Sequence, residues 1–306
     1  MGFEFKKKQS VRQAVKRLGC RSLEKTVRAL SHCKGLEAVH DARKDLKQLR
    51  ALLRLVRSAM PKSRYRRTSE KLQEAARMLS AARDAHVKVS ALAALVHRFQ
   101  PEAARHAFRK IKHLLAEDCR RQQAELSKTK TLSRSVNLLK KLSHDPGYFR
   151  LKGSGWSAIG PGLKSTYRKG RRLHRRAERR RTAECFHEWR KRVKDLFYQI
   201  GLLRPLWLEQ MTAAESELKQ LGECLGDYHD LFLLTEPRAL KRFRKQARQE
   251  VEALKVLVDE RQSQLRRKAV ALGARFYQEK PSVFCKRIEQ YWKRWRHEPK
   301  PAVPAV

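Results

Sequence analysis

The sequence predicts an all-α protein made of two similar helical bundles. Residues 39–57 carry apolar side chains that share one face of a helix turning ~100° per residue: Leu46, Leu49, Leu52, Leu53 and Val56. Alternating apolar and polar runs bounded by turn residues, the usual sign of strands, are nearly absent. Residues 186–204 repeat the pattern of 39–57 at an offset of 147 residues, from His40 to His187. The repeat favours two halves of related structure.

Cationic side chains occupy the face opposite the apolar one in both segments, and we call each set a ladder. The first ladder consists of His40, Arg43, Lys44, Lys47, Arg50 and Arg54, and the second of His187, Arg190, Lys191 and Lys194. A charged helix face is usually a solvated surface, which would explain one ladder alone. Core packing does not require a His followed by cations three, four and seven residues later. We therefore interpret the ladders as a repeated binding device.

The charge of the whole chain indicates a polyanionic partner. Its 306 residues include 73 Lys and Arg against 31 Asp and Glu, a formal net charge of +42. An excess of this size opposes compaction, yet 41% hydrophobic content is enough for a core. Nucleic acid, an anionic membrane surface and a phosphate polymer are the partners that such a charge favours.

Cysteine usage and hydropathy indicate a soluble, intracellular protein. The six cysteines form no CxxC pair and have no metal-ligand spacing, so we expect reduced thiols, no metal site and no cofactor. No signal peptide is apparent, and apolar runs such as 91–96 are far too short to span a bilayer. We expect no membrane association.

Helices are predicted in chain order across the first half, about 10–144. They cover about 10–30, 39–60, 63–82, 85–99 and 101–126, followed by a basic, Leu-rich segment to 143. Ser10 and Asp84 are suitable N-caps, and Gly35 and Pro61 end helices. Pro101 is placed where a first-turn proline belongs.

A hinge is predicted at about 145–162, where Gly, Pro and Ser are concentrated without helical periodicity. The second half, about 163–297, contains helices near 163–181, 186–204 and 214–225, long charged helices over 236–276 and a last helix at 282–297, before a Pro-rich tail at 298–306. The repeat extends beyond the ladders. Arg21, Lys25 and Arg28 map onto Arg168, Arg172 and Arg175, and the segment L-S-A-A-R-D at 79–84 pairs with L-G-D-Y-H-D at 225–230 at an offset of 146.

These motifs resemble the CHAD domain, the conserved histidine α-helical domain, over nearly the whole chain. The H-x-x-R-K-x-x-K pattern occurs twice, each copy followed by an Asp some 40 residues later. The resemblance implies two four-helix bundles related by a pseudo-twofold axis. It also implies a basic central groove or pore that binds inorganic polyphosphate, often at polyphosphate granules, where granule-associated proteins are possible partners.

Carried over by position, the resemblance implies that both ladders bind polyphosphate together with Arg21, Lys25, Arg168 and Arg172. The second copy departs from the family where members usually continue R-Y-x-x-E, because residues 197–201 read F-Y-Q-I-G. The ligand chemistry agrees with the residues. A phosphate polymer has no base edges or rings, so closely spaced Arg forks, Lys point charges and His donors suffice.

The roles of the residues around the repeated Asp stay open at this point. A carboxylate among phosphates would be repelled, so Asp84 and Asp230 are interpreted as helix caps or as partners that hold a ladder Arg. Arg83 and His229 precede them and are candidates for the groove.

Two functions of other classes are weighed against polyphosphate binding. The dyads His40-Asp41 and His229-Asp230 are typical of HD-type metal phosphohydrolases, but cations around them disfavour a bound metal. We therefore predict a protein that is not an enzyme. Nucleic-acid binding would suit the net charge, and nonspecific binding is expected at low salt. Aromatic residues do not interleave with the basic clusters as stacking platforms do, except at 291–295.

Overall fold

The computed structural model describes residues 2–32, 36–99, 108–128 and 130–297. These residues form twelve α-helices and four short 3-10 turns, with no strand among them, which confirms the all-α prediction. The helices are α1 Val11–His32, α2 Leu36–Leu55, α3 Lys62–Met78, α4 Ser80–Phe99, α5 Arg109–Lys128, α6 Thr131–His144, α7 Gly160–Arg180, α8 Ala183–Leu202, α9 Leu208–Leu234, α10 Pro237–Arg244, α11 Arg248–Phe276 and α12 Pro281–His297. Gly35, Pro101 and the tail 298–306 lie outside the described residues.

Of the two N-caps predicted from the sequence, Ser10 caps a helix in the structure and Asp84 does not. The Ser10 hydroxyl accepts from the Gln13 backbone N–H at 3.2 Å, and the Gln13 side chain accepts from the Ser10 N–H at 2.9 Å. This reciprocal pair confirms Ser10 as the cap of α1. The prediction that Asp84 caps a helix is wrong, because α4 begins at Ser80 and Asp84 lies inside it. The chain turns instead at Leu79, whose side chain is fully buried in the core.

The predicted hinge contains short turns rather than an open linker. Two 3-10 turns, Pro146–Phe149 and Gly155–Ala158, fill much of it, and α7 begins at Gly160, slightly earlier than predicted. The buried apolar residues form one continuous cluster that extends from Phe5 to Trp292. No helix in the described ranges combines the length and apolar character needed to cross a bilayer.

The centre of the fold is the contact between α2 and α8, the helices that carry the ladders. α1 packs against α2, α7 packs against α8, and α4 contacts α9 across the molecule. The side chain of Gln199 in α8 donates a 3.0 Å hydrogen bond to the Ala51 carbonyl of α2. Farther towards the start of both helices, Arg43 and Arg190 are electrostatic neighbours. The two helices that carry the ladders are therefore in direct contact at more than one point along their length.

Gly162 permits a close approach between the backbones of α7 and α2. It lies in the first turn of α7, where a Cβ atom would stand 1.9 Å from the Leu55 carbonyl oxygen and 2.8 Å from that of Arg54. No other residue type fits between these backbones without moving one of them. The contact holds the start of α7 against the end of α2, and therefore against the end of the first ladder.

Candidate functional site

The two ladders form one cationic surface because α2 and α8 pack side by side. Arg43 is near enough to Arg190 for their charges to repel, and Lys47 is repelled by Arg190 and Lys194. Like charges from different helices therefore face a shared space. Each ladder alone would spread its charge into solvent.

Lys47 of α2 is part of this cationic surface and has an unusual pKa. The protein atoms around the Lys47 ammonium group exclude water from it, and this desolvation is the main cause that lowers the pKa of Lys47 to about 7. Repulsion from Arg190, Arg43 and Lys194 contributes to the lowered pKa of Lys47. Its side chain is nevertheless exposed to solvent. A group that is both exposed and closely surrounded by protein lies in a concavity. An ordinary surface lysine stays charged to well above neutral pH, so the neighbours of Lys47 make this site unusual.

Helices α4 and α9 add two further side chains to the same space. Arg83 of α4 repels Lys47, Arg43 and Arg190. His229 of α9 places its ring against that of His187, with centroids 4.3 Å apart and an interplanar angle of 37°. Burial, followed by Arg190, His187 and Lys191, lowers the pKa of His229 to about 3. The sequence identified Arg83 and His229 only as candidates for the groove, because each directly precedes the repeated Asp.

We call these side chains the central cluster: Arg43, Lys47, Arg83, His187, Arg190, Lys194 and His229. Two carboxylates accompany them. Asp84 is half-buried beside Arg43, and Asp230 is half-buried beside Arg190. Burial raises the pKa of each carboxyl group, and the neighbouring arginine opposes that rise.

Neither carboxylate caps a helix, since both lie inside one. Of the two roles that the sequence left open for Asp84 and Asp230, the structure supports the partnership with a ladder arginine. Arg43 is additionally held by a 3.0 Å hydrogen bond from its guanidinium to the Ala76 carbonyl. The guanidinium group of Arg43 is therefore oriented by a group outside the ladders.

The two ladder histidines differ in their surroundings. His40 is exposed, and its pKa is lowered by partial burial of the ring and then by Arg83. His187 is half-buried, and its pKa is lowered by burial, then by Lys191 and Arg190. The Nδ1 atom of His187 is buried and has no hydrogen-bond partner among the described residues. His187 is thus not a core histidine satisfied by a fixed neighbour.

A second group of charged residues includes the last two cations of the α2 ladder, and we therefore call it the far end: Arg50, Arg54, Lys169, Arg192 and Asp195. Asp195 is buried and bridges two arginines. Its carboxylate oxygens lie 2.9 Å from a guanidinium nitrogen of Arg54 and 2.9 Å from one of Arg192. Part of the cationic charge at this end is therefore neutralised within the protein.

A family model described as the CHAD domain matches residues 14–238, a span that contains both ladders and the whole central cluster. The chain belongs to the CHAD domain family. The resemblance predicted from the two ladders is thereby confirmed.

A solved structure has the same fold. It is the crystal structure of the CHAD domain from the plant Ricinus communis, with 18% sequence identity and a TM-score of 0.58. The alignment covers 88% of this chain and 90% of that one. At this identity the likeness concerns the fold alone. No curated protein matches the chain.

Several predicted binding residues of this CHAD domain lie outside the central cluster. Lys25 forms a 3.2 Å ion pair with the buried Asp45, and Lys191 forms a 2.6 Å ion pair with Glu188. Arg50 and Arg54 belong to the far end, and the other predicted residues outside the cluster are exposed side chains of α1, α2 and α7: Arg21, His40, Lys44, Arg168 and Arg172.

Three residues of the far end were not predicted from the sequence as site residues: Lys169, Arg192 and Asp195. Burial, followed by Arg192, lowers the pKa of Lys169, which places this lysine of α7 against the ladder surface. A signal existed in the repeat. Arg192 occupies the position that corresponds to Asp45 at the offset of 147, so the charge there is reversed between the two halves.

The sequence features behind the two alternative functions have different surroundings in this CHAD domain. His229 and Asp230 lie among Arg190, Lys191 and Lys47, whose charges oppose a bound cation. Within the described part of the chain, no group of three or more His, Cys, Asp and Glu could hold a metal ion. In the aromatic segment 291–295, Trp292 is buried and its ring centroid lies 6.2 Å from those of Phe5 and Trp156. It packs in the core and is not a stacking platform.

Proposed function

We propose that this CHAD domain binds inorganic polyphosphate at the central cluster and does not alter it chemically. The observation that carries the proposal is the convergence of cations from three helices on one concave surface, where burial and then mutual repulsion lower the pKa of Lys47 to about 7. Mutual repulsion of this kind is unfavourable in the free protein and is relieved by a bound polyanion. Membership of the CHAD family supports the choice of polyphosphate.

The residue types suit a phosphate chain. Arg43, Arg83 and Arg190 offer planar forks that can contact phosphate oxygens in pairs, and Lys47 and Lys194 add mobile point charges. The ladders advance by about 1.5 Å per residue, so donors recur along the path of a flexible polymer. Trp189 and Phe186 of α8 are buried, so these two rings are not platforms on which bases could stack.

Location and partners follow from the ligand. A protein that binds polyphosphate would be recruited to the places where the polymer accumulates, so we propose association with polyphosphate granules in the cytoplasm. Nonspecific contact with nucleic acid is expected at low salt because the net charge is +42.

Competition at physiological salt tests the proposal. Labelled long-chain polyphosphate is displaced by unlabelled polyphosphate, duplex DNA or single-stranded RNA, at equal concentrations of phosphate. We expect polyphosphate to compete at least tenfold better than either nucleic acid. Equal or better competition by DNA or RNA would overturn the proposal in favour of a nucleic-acid-binding function.

A matched pair of variants tests the site. The double variant Lys47→Ala/Lys194→Ala removes two charges from the central cluster, and Lys280→Ala/Lys286→Ala removes two exposed charges near α12. We expect at least a tenfold loss of affinity in the first and less than a twofold loss in the second. Equal losses would mean that diffuse charge, and not the central cluster, binds the polymer. Polyphosphate chain length after prolonged incubation with the protein and Mg²⁺ should not change, and shortening would contradict a purely binding role.

A further inference from the structure

The two halves of the domain differ at one position of the central cluster. In the first half, residue 83 of the segment L-S-A-A-R-D is an arginine. In the second half, the corresponding residue of L-G-D-Y-H-D is His229. The first position carries a permanent positive charge, while the second carries a group that can gain or lose its proton near neutral pH.

His229 is surrounded by cations from three helices. Arg190 and Lys191 of α8 and Lys47 of α2 act on it directly, and Arg83 of α4 acts on its neighbours Arg190 and Asp230. On its own helix, Asp230 is itself countered by Arg190, and the Phe232 ring lies 6.4 Å away.

The ring that faces His229 is that of His187, 4.3 Å away between centroids. His187 is surrounded by Lys191, Arg190 and the single carboxylate Glu188. That carboxylate is already paired with Lys191 at 2.6 Å. Burial and the neighbouring cations lower the pKa of both imidazoles and thereby favour their neutral forms in the free protein.

A bound polyanion would change the electrostatic potential at the two imidazole rings from positive to negative. Its phosphate oxygens would lie among the cations that now repel the imidazolium form, and would favour protonation of both rings. We propose that the His187–His229 pair takes up protons when a polyanion binds, so that the second half of the site becomes charged only in the bound state. This inference rests on the proposed function, because it needs the polymer at the central cluster.

The direction of the pH effect follows from the free-state pKa of His229 at about 3. A group that is neutral when free and protonated when bound makes binding tighter as the pH falls through its bound-state pKa. Each proton taken up gives at most about a tenfold gain in affinity per pH unit. Arg83 contributes nothing to this dependence, since its charge is constant.

Calorimetry in buffers of different ionisation enthalpy counts the protons directly. Long-chain polyphosphate is titrated into the full-length protein at pH 6, in two such buffers, for the wild type, His229→Arg, His229→Gln and His97→Gln. With a pKa of about 7, Lys47 is mostly protonated in the free protein at pH 6, so it contributes little to the uptake. Internal phosphates of long chains do not titrate here, and end groups are too few to contribute.

We expect net proton uptake in the wild type and in His97→Gln, where the replaced histidine is exposed on α4. Uptake should be reduced by at least half in both His229 variants. His229→Arg should also bind at least as tightly as the wild type at pH 8, because it supplies permanently the charge that His229 gains on binding. Circular dichroism checks that each variant is folded, and if His229→Arg is not, His229→Gln still tests the uptake.

The outcomes separate this inference from the function on which it rests. Tight binding by the wild type without proton uptake, or with uptake unchanged in a folded His229 variant, would overturn the inference and leave the proposed function standing. A wild-type protein that fails to bind polyphosphate at either pH would overturn both.

Discussion

The central cluster and the far end use the same residue types in opposite ways. In the central cluster, cations from three helices face one another, and each nearby carboxylate is shared among several of them. At the far end, one buried carboxylate, Asp195, lies 2.9 Å from each of two arginines and joins α2 to α8. The first arrangement leaves positive charge unbalanced, and the second balances it inside the protein.

The difference shows that membership of a ladder does not determine whether a cation is available to a ligand or is paired within the protein. Arg43 and Arg54 are both ladder residues of α2, on the same helix face. Arg43 contributes to a concave cationic surface, whereas Arg54 has an ion-pair partner in the folded protein. We therefore expect ligand binding to depend mainly on one end and the stability of the helix pair mainly on the other.

The largest effect should come from removing matched arginine pairs, one residue from α2 and one from α8. Arg43→Ala/Arg190→Ala should weaken polyphosphate binding by about 100-fold or more, since each hydrogen bond to a charged group contributes about 1.5–3 kcal/mol. Arg54→Ala/Arg192→Ala should weaken it less than about tenfold. Titration at fixed physiological salt measures both.

The same two variants should differ in the reverse sense in stability. Arg54→Ala/Arg192→Ala leaves Asp195 buried without its two ion-pair partners, which typically lowers the free energy of unfolding by about 3 kcal/mol or more. Asp84 and Asp230 are only half-buried and keep other cations nearby, so Arg43→Ala/Arg190→Ala should unfold at nearly the wild-type urea concentration. Similar losses of affinity in both variants would remove the distinction between the two ends.

The next effect concerns pH, which should act on the central cluster through Lys47. Its pKa of about 7 in the free protein should rise when a polyanion binds, so affinity should weaken as the pH rises from 7 towards 9, by at most about tenfold per unit. Lys47→Arg keeps its charge and should bind with little dependence on pH in that range. A slope unchanged by Lys47→Arg would exclude Lys47 as its source.

Lys47 should also affect the stability of the free protein with a defined sign. Its pKa is lower in the folded protein than the ordinary value of 10.5, so the unfolded chain binds more protons between pH 7 and 10.5. The contribution of Lys47 to stability therefore rises with pH across that window. Thermal unfolding of the wild type and Lys47→Met, compared at pH 7 and pH 9.5, should show the advantage of Lys47→Met shrinking at the higher pH.

A smaller effect on binding is expected at the far end from Asp195→Asn. The substitution keeps the shape of the side chain but removes the charge that pairs with Arg54 and Arg192. Affinity for long polyphosphate should rise several-fold, since two cations become available, while urea unfolding should shift to lower concentration. Unchanged affinity in a folded variant would mean that the polymer does not reach the far end.

The smallest effect on binding should come from Gly162→Ala. A Cβ atom at this position meets the backbone of Leu55 and Arg54, so α7 or α2 must shift, with a loss of about 1–3 kcal/mol in the free energy of unfolding. The central cluster lies at the other end of α2, so affinity should change by less than twofold. Gly155→Ala, where no atom lies within 4 Å but φ is +59°, provides a comparison in which backbone strain acts without a clash.

The elements of the fold could be predicted from local sequence because helix periodicity is a local property. The predicted apolar face is buried throughout, at Leu46, Leu49, Leu52 and Leu53 of α2 and at Val56 directly after it. Ser10 caps α1 through a residue only three positions away. Asp84 failed as a cap because the chain turns on Leu79, whose burial depends on contacts with other helices.

The sequence by itself determined the all-α class, the two ladders and the family, since each depends on residue spacing along one helix or on the offset between two. Tertiary structure alone decided which ladder residues meet. The ion pair of Arg54 with Asp195 spans 141 positions, and the ring contact joins His187 of α8 to His229 of α9. Such pairs depend on the direction and rotation of packed helices, which periodicity leaves undetermined. For that reason the sequence identified the cations, and only the packing distinguished the unbalanced central cluster from the far end neutralised by Asp195.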